Sequence, residues 1–218
     1  MRTWGKRNDK AIYYRAPRPE MMPFVPDSAR CVLEVGCAEG TFGAALKQRA
    51  GAEVWGIEFN PEVAHRATTS IDRVLIGDVD EQAAALPDGY FDVIVCNDVL
   101  EHLQNPGDSL AKLRHKLKPG GVVVASIPNI RYFPALREII VKKDFPAEDA
   151  GIFDRTHLRF FTRKSMVRMF TDAGFTMQRM KGINTRVKPW GLLVTVLSLG
   201  YFADGFHMQY ACVASPTI

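Results

Sequence analysis

The chain has 218 residues, of which 47% are hydrophobic and 24% are charged. This composition is typical of a folded globular protein and argues against a disordered chain. The formal net charge of +4 permits an anionic partner but does not require one. Residues 1–7 are charged and no apolar run follows them, so we predict no signal peptide.

The predicted elements alternate between strands and helices, which indicates one doubly wound α/β domain over residues 1–218 with a mostly parallel sheet. Residues 1–29 are polar and proline-rich, and we expect this N-terminal segment to lie over a ligand site. Helices are predicted over residues 41–49, 61–70 and 107–116 and between Thr162 and Gly174. Strands are predicted near residues 31–35, 53–58, 73–77, 91–96, 121–127, 175–181 and 207–214.

Residues 128–161 interrupt this alternation. In an open α/β sheet, ligands bind beyond the carboxyl ends of the strands. An insertion there that carries histidine, aspartate, arginine and aromatic residues predicts an acceptor-binding lid. The side chains of Arg131, Tyr132, Arg155 and Arg159 suit a hydroxylated or phosphate-bearing glycan.

Residues 190–202 form an apolar stretch that is too short to span a bilayer, which needs about 20 residues. One interpretation is a helix packed on the sheet. The other is a membrane-surface element, supported by the basic residues Arg179, Lys181, Arg186 and Lys188 that precede the stretch.

The chain has four cysteines and no Cys-x-x-Cys pair, and three of the cysteines lie in or beside predicted strands. The four are Cys31, Cys37, Cys96 and Cys212. This usage is typical of buried thiols in a reducing compartment and not of a disulfide or metal framework. We therefore predict a cytoplasmic protein.

The ends of the first three strands carry the residues of a predicted nucleoside site. An apolar strand leads into Gly36 and Gly40, glycines that let a ligand approach the backbone, with a helix N-terminus behind them. Glu58 follows 22 residues after Gly36, where a carboxylate can accept hydrogen bonds from both hydroxyls of a ribose. Asp78 follows the third strand, where it could meet an adenine.

These features resemble the class I S-adenosylmethionine (SAM)-dependent methyltransferases, whose first motif reads acid-x-Gly-x-Gly-x-Gly. Here the motif is Glu34-x-Gly36-x-Ala38-x-Gly40, with alanine in place of the middle glycine. The resemblance extends through residues 91–103 and 117–121. It implies a seven-stranded Rossmann-like sheet with a reversed last strand, SAM as cofactor, and methyltransferase activity.

The resemblance also implies a set of cofactor contacts. We expect Glu34 to bind the SAM ammonium group, directly or through water, and the loop backbone to meet the methionine portion. Structural alternatives remain open: a helix cap or a solvent-facing acid for Glu34, a strand-end charge for Glu58, and a turn residue for Asp78. The expected cofactor-binding residues are Glu34, Gly36, Cys37, Ala38, Gly40, Glu58, Phe59, Asp78, Val79 and Asn97.

The predicted reaction is O-methylation of a small molecule or glycan. SAM already supplies the activated carbon, so the protein must position the acceptor and remove a proton. His157 and Asp98 are the candidate catalytic bases. In the alternative interpretation, Asp98 is the N-cap of the helix that follows it.

A second resemblance keeps a metal-assisted alternative open. RNA 2′-O-methyltransferases of the Hen1 type carry Glu-x-x-Glu-His and a later His, which hold a magnesium ion that binds vicinal ribose hydroxyls. This chain has Asp98-x-x-Glu101-His102 and His157 at matching spacing. Such mixed ligands do not fix the identity of a metal. We predict a metal-free site with His157 as base.

Residues 152–175 resemble small methyltransferases encoded among bacterial surface-polysaccharide genes, which favours a sugar hydroxyl as acceptor. We do not predict a nucleic-acid partner, because Arg163, Lys164 and Arg168 lie at the helical spacing of a solvated face. No sequence feature indicates an oligomeric state.

Two other function classes explain part of the pattern. A dinucleotide oxidoreductase would use Ala38-x-Gly40-x-x-Gly43 and Glu58, but that class explains neither Asp78 nor residues 97–102. A non-catalytic SAM-binding module is the other alternative, and SAM-induced heat stabilisation without turnover would favour it.

Overall fold

The computed structural model describes residues 17–217, and these contain a seven-stranded sheet. Its strands are β1 Cys31–Val35, β2 Glu53–Glu58, β3 Arg73–Ile76, β4 Phe91–Asn97, β5 Leu117–Pro128, β6 Phe175–Thr185 and β7 His207–Pro216. Their order in the sheet is β3-β2-β1-β4-β5-β7-β6. β1 pairs in parallel with β2 and β4, β2 pairs in parallel with β3, and β6 and β7 are antiparallel. The predicted doubly wound sheet with a reversed last strand is therefore confirmed.

The helices confirm the four predicted segments, with ends that differ by at most a few residues. The prediction missed the short helices Val79–Gln82 and Phe133–Leu136, and the π-helical turn Arg137–Val141 that continues the second of them. The helices are α1 Thr41–Ala50, α2 Pro61–Ala67, α3 Val79–Gln82, α4 Pro106–Arg114, α5 Phe133–Leu136, α6 Arg163–Asp172 and α7 Pro189–Leu197.

The central strands are apolar because both of their faces are buried, as in other parallel sheets. Val32 to Val35 in β1 and Val93 to Cys96 in β4 are buried without interruption. Apart from the buried Glu34 in β1, these strands place their polar residues near their ends, and the carboxyl ends carry most of the candidate site residues.

Helix α6 begins at the predicted cap. Thr162 Oγ1 accepts a hydrogen bond from Ser165 N–H, and Ser165 Oγ accepts one from Thr162 N–H. This capping box satisfies two backbone donors that the first helical turn leaves without partners. Met166 and Phe170 are fully buried on the inner face of the helix, as their spacing predicts.

Two compact units make up the chain. The first unit consists of the residues up to Cys96 and of Ala111–Val123. The second unit consists of Asn97–Leu110 and of the residues from Val124 onward. The assignment of residues 1–218 to one domain stays a prediction. The expected position of residues 1–29 over the cofactor stays a prediction, because residues 1–16 of this segment lie outside the described region.

Cys37, Cys96 and Cys212 are buried, and none of the four cysteines forms a disulfide among residues 17–217. This agrees with the prediction of buried thiols. Within the same residues, no helix combines the length and the apolar character that crossing a bilayer requires.

Candidate active site

The loop between β1 and α1 has three alternating residues in the left-handed backbone region. The φ angles are 67° at Gly36, 50° at Ala38 and 75° at Gly40. Glycine adopts this conformation readily, whereas alanine costs about 1–2 kcal/mol. Ala38 is held there by a hydrogen bond from its N–H to Glu58 Oε2 at 2.9 Å. The loop therefore keeps its backbone course despite the alanine in the motif.

Glu58 ends β2 with its carboxylate almost buried. Oε2 accepts from Ala38 N–H and Oε1 accepts from Asn60 N–H, both at 2.9 Å. A carboxylate has about four acceptor positions, so both oxygens can still accept a ribose hydroxyl. Phe59, the next residue in the chain, is 73% exposed and leaves its aromatic ring accessible to a ligand. These residues fit the nucleoside part of SAM.

Glu34 lies in the interior of β1 and is 4% exposed, so the alternative of a solvent-facing acid is wrong. Its Oε2 accepts a hydrogen bond from Gly43 N–H in the first turn of α1, at 3.1 Å. This contact matches the helix-cap alternative, because Gly40 at the N-cap position provides no side-chain oxygen. The pKa of Glu34 is raised to about 8, chiefly by burial; the hydrogen bond from Gly43 opposes this rise, and the nearby Glu58 adds to it. Direct or water-mediated contact with the SAM ammonium group stays a prediction.

Asp78 and Val79 begin α3. Asp78 Oδ1 accepts a hydrogen bond from Asp80 N–H at 2.7 Å and so caps this short helix, and Val79 is buried. The structural role that the sequence left open for Asp78 is therefore present. Its contact with an adenine stays a prediction.

Asn97 is the last residue of β4. Among residues 17–217, neither polar atom of its side-chain amide has a hydrogen-bond partner, although both atoms are buried. Buried polar groups in folded proteins are normally hydrogen-bonded, so an amide in this state needs a partner such as an ordered water or a ligand. This observation fits the predicted cofactor-binding role of Asn97.

Asp98 adopts a left-handed backbone conformation, with φ at 54°. Its Oδ1 accepts hydrogen bonds from Ser126 Oγ at 2.8 Å and from Gln209 Nε2 at 2.7 Å. The alternative of Asp98 as a helix cap is wrong, because the next turn, Leu100–His102, has Val99 at its N-cap position and no side-chain cap. The carboxylate is instead fixed in place beside the strand ends.

Two residues that the sequence analysis missed position this carboxylate. Ser126 is buried in the apolar strand β5. A single hydroxyl residue within an apolar run is a weak sequence signal for a polar contact in the interior. Gln209 in β7 is also buried, and its Oε1 accepts a hydrogen bond from Asn184 Nδ2 at 2.6 Å. Nothing in the sequence near residue 209 distinguishes this glutamine from a solvated one.

Glu101, His102 and His157 form a compact cluster in the second unit. The candidate ligand atoms of the three residues all lie within 4.8 Å of one another. The imidazole rings are 4.8 Å apart in an edge-to-face arrangement, and His157 Nε2 is 3.9 Å from Glu101 Oε1. The predicted fourth ligand, Asp98, is not a member of this group. The structure therefore brings together three of the four residues.

His157 is held in one orientation by its backbone surroundings. Its Nδ1 lies 3.0 Å from the carbonyl oxygen of Ile152, and because a carbonyl only accepts, Nδ1 carries the hydrogen. Nε2 then has a lone pair in the neutral ring. Burial lowers the pKa of His157 below its usual value of 6.5. The ring is therefore neutral at pH 7, which suits both a general base and a metal ligand.

The second half of the 128–161 insertion is bound to the Leu100–His102 turn. The backbone N–H groups of Leu158 and Arg159 both donate to the carbonyl oxygen of Glu101, at 2.9 and 3.0 Å. His102 Nδ1 lies 3.1 Å from both the carbonyl oxygen and Oγ1 of Thr156. These contacts explain how residues more than 50 positions apart in sequence reach one cluster.

The polar side chains expected to bind a glycan are used within the protein. Arg131 forms a bidentate pair with Asp204, at 2.6 and 3.1 Å, and Tyr132 lies in a buried apolar cluster. Arg155 pairs with Asp149, and Arg159 donates to the carbonyl oxygen of Gln104. The expected recognition of a phosphate-bearing glycan therefore has no support from these residues.

The chain matches known methyltransferases in sequence. The sequence profile of the family described as "Methyltransferase domain" matches residues 7–179. The chain belongs to the SAM-dependent methyltransferases. It is consequently an enzyme that uses SAM, and the alternatives of an oxidoreductase and of a non-catalytic module are wrong.

Several curated relatives carry a more specific name. A ubiquinone biosynthesis O-methyltransferase of Psychrobacter arcticus is 32% identical over 190 residues, which is 83% of this chain and 72% of the relative. A protein of the same name from Aeromonas salmonicida is 28% identical, over 70% of this chain and 66% of the relative. The chain spans between 62% and 72% of the length of four relatives with this name.

Solved structures share the fold at low sequence identity. A SAM-dependent methyltransferase from Archaeoglobus fulgidus is 18% identical, with a TM-score of 0.69 over 96% of this chain and 99% of that one. A Thermotoga maritima methyltransferase, described as a possible histamine N-methyltransferase, is 20% identical with a TM-score of 0.67, over 96% of this chain and 95% of that one. These similarities establish the fold.

Proposed function

We propose that this methyltransferase transfers the methyl group of SAM to a hydroxyl oxygen of a small molecule, with His157 as general base. The observation that carries the proposal is the contact between His157 Nδ1 and the Ile152 carbonyl, which leaves Nε2 able to accept a proton. A hydroxyl is protonated at pH 7, so its proton must be removed as the oxygen bonds to carbon.

SAM, when bound, supplies a methyl group whose bond to the positively charged sulfur breaks as the acceptor oxygen attacks. His157 Nε2 takes the proton of the acceptor hydroxyl and becomes a cation. Asp98, fixed by Ser126 and Gln209, orients the acceptor by accepting a hydrogen bond from a hydroxyl.

The acceptor we propose first is a phenol-type small molecule related to quinones. Its support is the name shared by the curated relatives, which describes O-methylation in ubiquinone biosynthesis. A sugar hydroxyl, favoured by the resemblance to polysaccharide-gene methyltransferases, is the second candidate. The intrachain contacts of Arg131 and Tyr132 weaken that second candidate.

A direct test offers the protein methyl-labelled SAM together with catechols, nucleotide sugars, oligosaccharides and RNA with free 3′ ends. We expect label in a catechol or related phenol and identify the methylated atom by NMR. The His157→Ala variant serves as the matched control for enzyme-dependent transfer. An N-methylated or C-methylated product, or label only in RNA, would contradict the proposal.

The Glu101, His102 and His157 cluster favours a second candidate, in which a divalent cation binds a vicinal diol and lowers the pKa of the reacting hydroxyl. Removal of divalent cations by a chelator distinguishes the metal-free route from the metal-assisted route. We expect EDTA to leave turnover unchanged and Glu101→Ala to have a mild effect. Loss of activity with EDTA that Mg²⁺ or Mn²⁺ restores, and equal damage from Glu101→Ala and His157→Ala, would establish the metal route. His65→Ala, at an exposed position of α2, is the control variant.

A further inference from the structure

The helix α7 and the turn after it present an unusual surface. Leucine and valine side chains are usually buried in folded proteins, but several of them are exposed to solvent here, and Leu199 is 97% exposed. We call this set the α7 surface: Trp190, Leu192, Leu193, Val196, Leu197, Leu199 and Tyr201, all of them exposed. A run of exposed apolar residues on one element marks an interaction site.

The exposure follows from how α7 contacts the rest of its unit. Gly191 is its buried residue, and an added Cβ there would lie about 3.0 Å from the Phe133 ring and 3.1 Å from Phe206. Trp190 packs edge-to-face on Phe133 with ring centres 5.1 Å apart. The helix is therefore held near its first turn, and the leucines and valines beyond Gly191 are exposed apart from the half-buried Val194. The interpretation of residues 190–202 as a helix packed on the sheet is wrong for those side chains.

A cleft of about 590 Å³ lies between the α7 surface and a second pair of exposed apolar residues, Ile140 and Val141. Its walls come from α5, the Arg137–Val141 turn and α7, and include Leu136, Trp190 and Val194. Ile140 and Val141 line the cleft as well and are exposed at its rim. The apolar surface is therefore wider than one helix.

Basic residues flank the apolar residues. Arg186 and Lys188 are exposed immediately before α7, and the sequence contains no acidic residue between positions 186 and 203. On the other side of the cleft, Lys142 and Lys143 follow the π-helical turn. Glu138 of that turn is paired with Lys142 at 2.7 Å, and the exposed acid Asp144 follows Lys143, so the unpaired basic side chains of the rim are chiefly those before α7. An apolar centre with a basic rim matches a bilayer with anionic headgroups.

We propose that the α7 surface docks this enzyme on an anionic lipid bilayer. The leucines and valines enter the boundary between headgroups and acyl chains, and Trp190 and Tyr201 lie at that boundary, where amphipathic aromatic side chains are favoured. Arg186, Lys188 and Lys143 bind the phosphates. The proposal goes beyond methyl transfer and does not depend on the identity of the acceptor.

The test is sedimentation of the full chain with vesicles of phosphatidylcholine alone or with one part in three phosphatidylglycerol. We expect binding to the anionic vesicles that high salt weakens. The double variant Leu193→Glu/Leu197→Glu should reduce it at least about tenfold, and Arg186→Glu/Lys188→Glu by a similar factor. Val167→Glu is the matched control, because it places the same charge at an exposed valine of α6.

Thermal unfolding checks that the double variant folds, which its exposed positions favour. Equal binding by the wild type and both double variants would overturn the proposal, as would no binding to either kind of vesicle. A wild-type dimer in light scattering that Leu193→Glu/Leu197→Glu converts to monomers, without vesicle binding, would assign the surface to a second copy of the chain instead.

Discussion

Replacing His157 by alanine should lower kcat about 10²–10⁴-fold, the usual contribution of a positioned general base. The reason is the orientation of the ring, because its Nδ1 is held at the Ile152 carbonyl and Nε2 is left to accept the proton. The affinity for SAM should stay unchanged. Single-turnover kinetics with the acceptor and calorimetric titration of SAM measure the two quantities.

The same residue should set the acid limb of the pH profile. A base acts in its neutral form, so the rate should fall as the pH drops through the pKa of His157. Burial lowers that pKa, so the midpoint should lie below 6.5 and the rate should be constant around pH 7. The variant should lack this limb. His65→Ala, a histidine exposed on α2, should retain both the rate and the profile.

A folded His157→Ala variant with near-normal kcat would remove this residue from the chemistry. Asp98 would then be the remaining candidate base. Its carboxylate accepts hydrogen bonds from Ser126 and Gln209, so Gln209→Leu should in that case reduce kcat more than it raises the KM of the acceptor.

The sheet could be predicted because each strand has its own local signal. β1, β2 and β4 are apolar runs of five to seven residues, and they end at the polar or glycine residues that form the site. The capping residue Thr162 and the buried Met166 and Phe170 likewise follow from local spacing. For the same reason, the sequence indicated the positions of Glu58 and Asp98.

The contacts that give those residues their surroundings depend on distant parts of the chain. Gln209 is 111 positions from Asp98, and the strand register that brings it there is not visible in either segment. The exposure of α7 has a similar origin. Composition predicts an apolar helix, but the contact of Gly191 with Phe133 decides which of its faces is buried.

Replacing Glu58 by alanine should weaken SAM binding about tenfold to a hundredfold. Hydrogen bonds to a charged group contribute roughly 1.5–3 kcal/mol, and 1.4 kcal/mol corresponds to a factor of ten. Part of the loss has another source, because Glu58 also holds Ala38 N–H and Asn60 N–H. Affinity alone therefore does not identify Glu58 as the ribose ligand.

A cycle with a modified ligand separates the two contributions. S-Adenosylhomocysteine and its 2′-deoxy analogue are titrated into the wild type and into Glu58→Ala. If Glu58 accepts the hydroxyl, removal of that hydroxyl should weaken binding to the wild type and should have little further effect on the variant. Glu62→Ala, an exposed acid of α2, should respond like the wild type. Equal penalties in the wild type and Glu58→Ala would show that Glu58 supports the glycine loop and leaves the ribose to other residues.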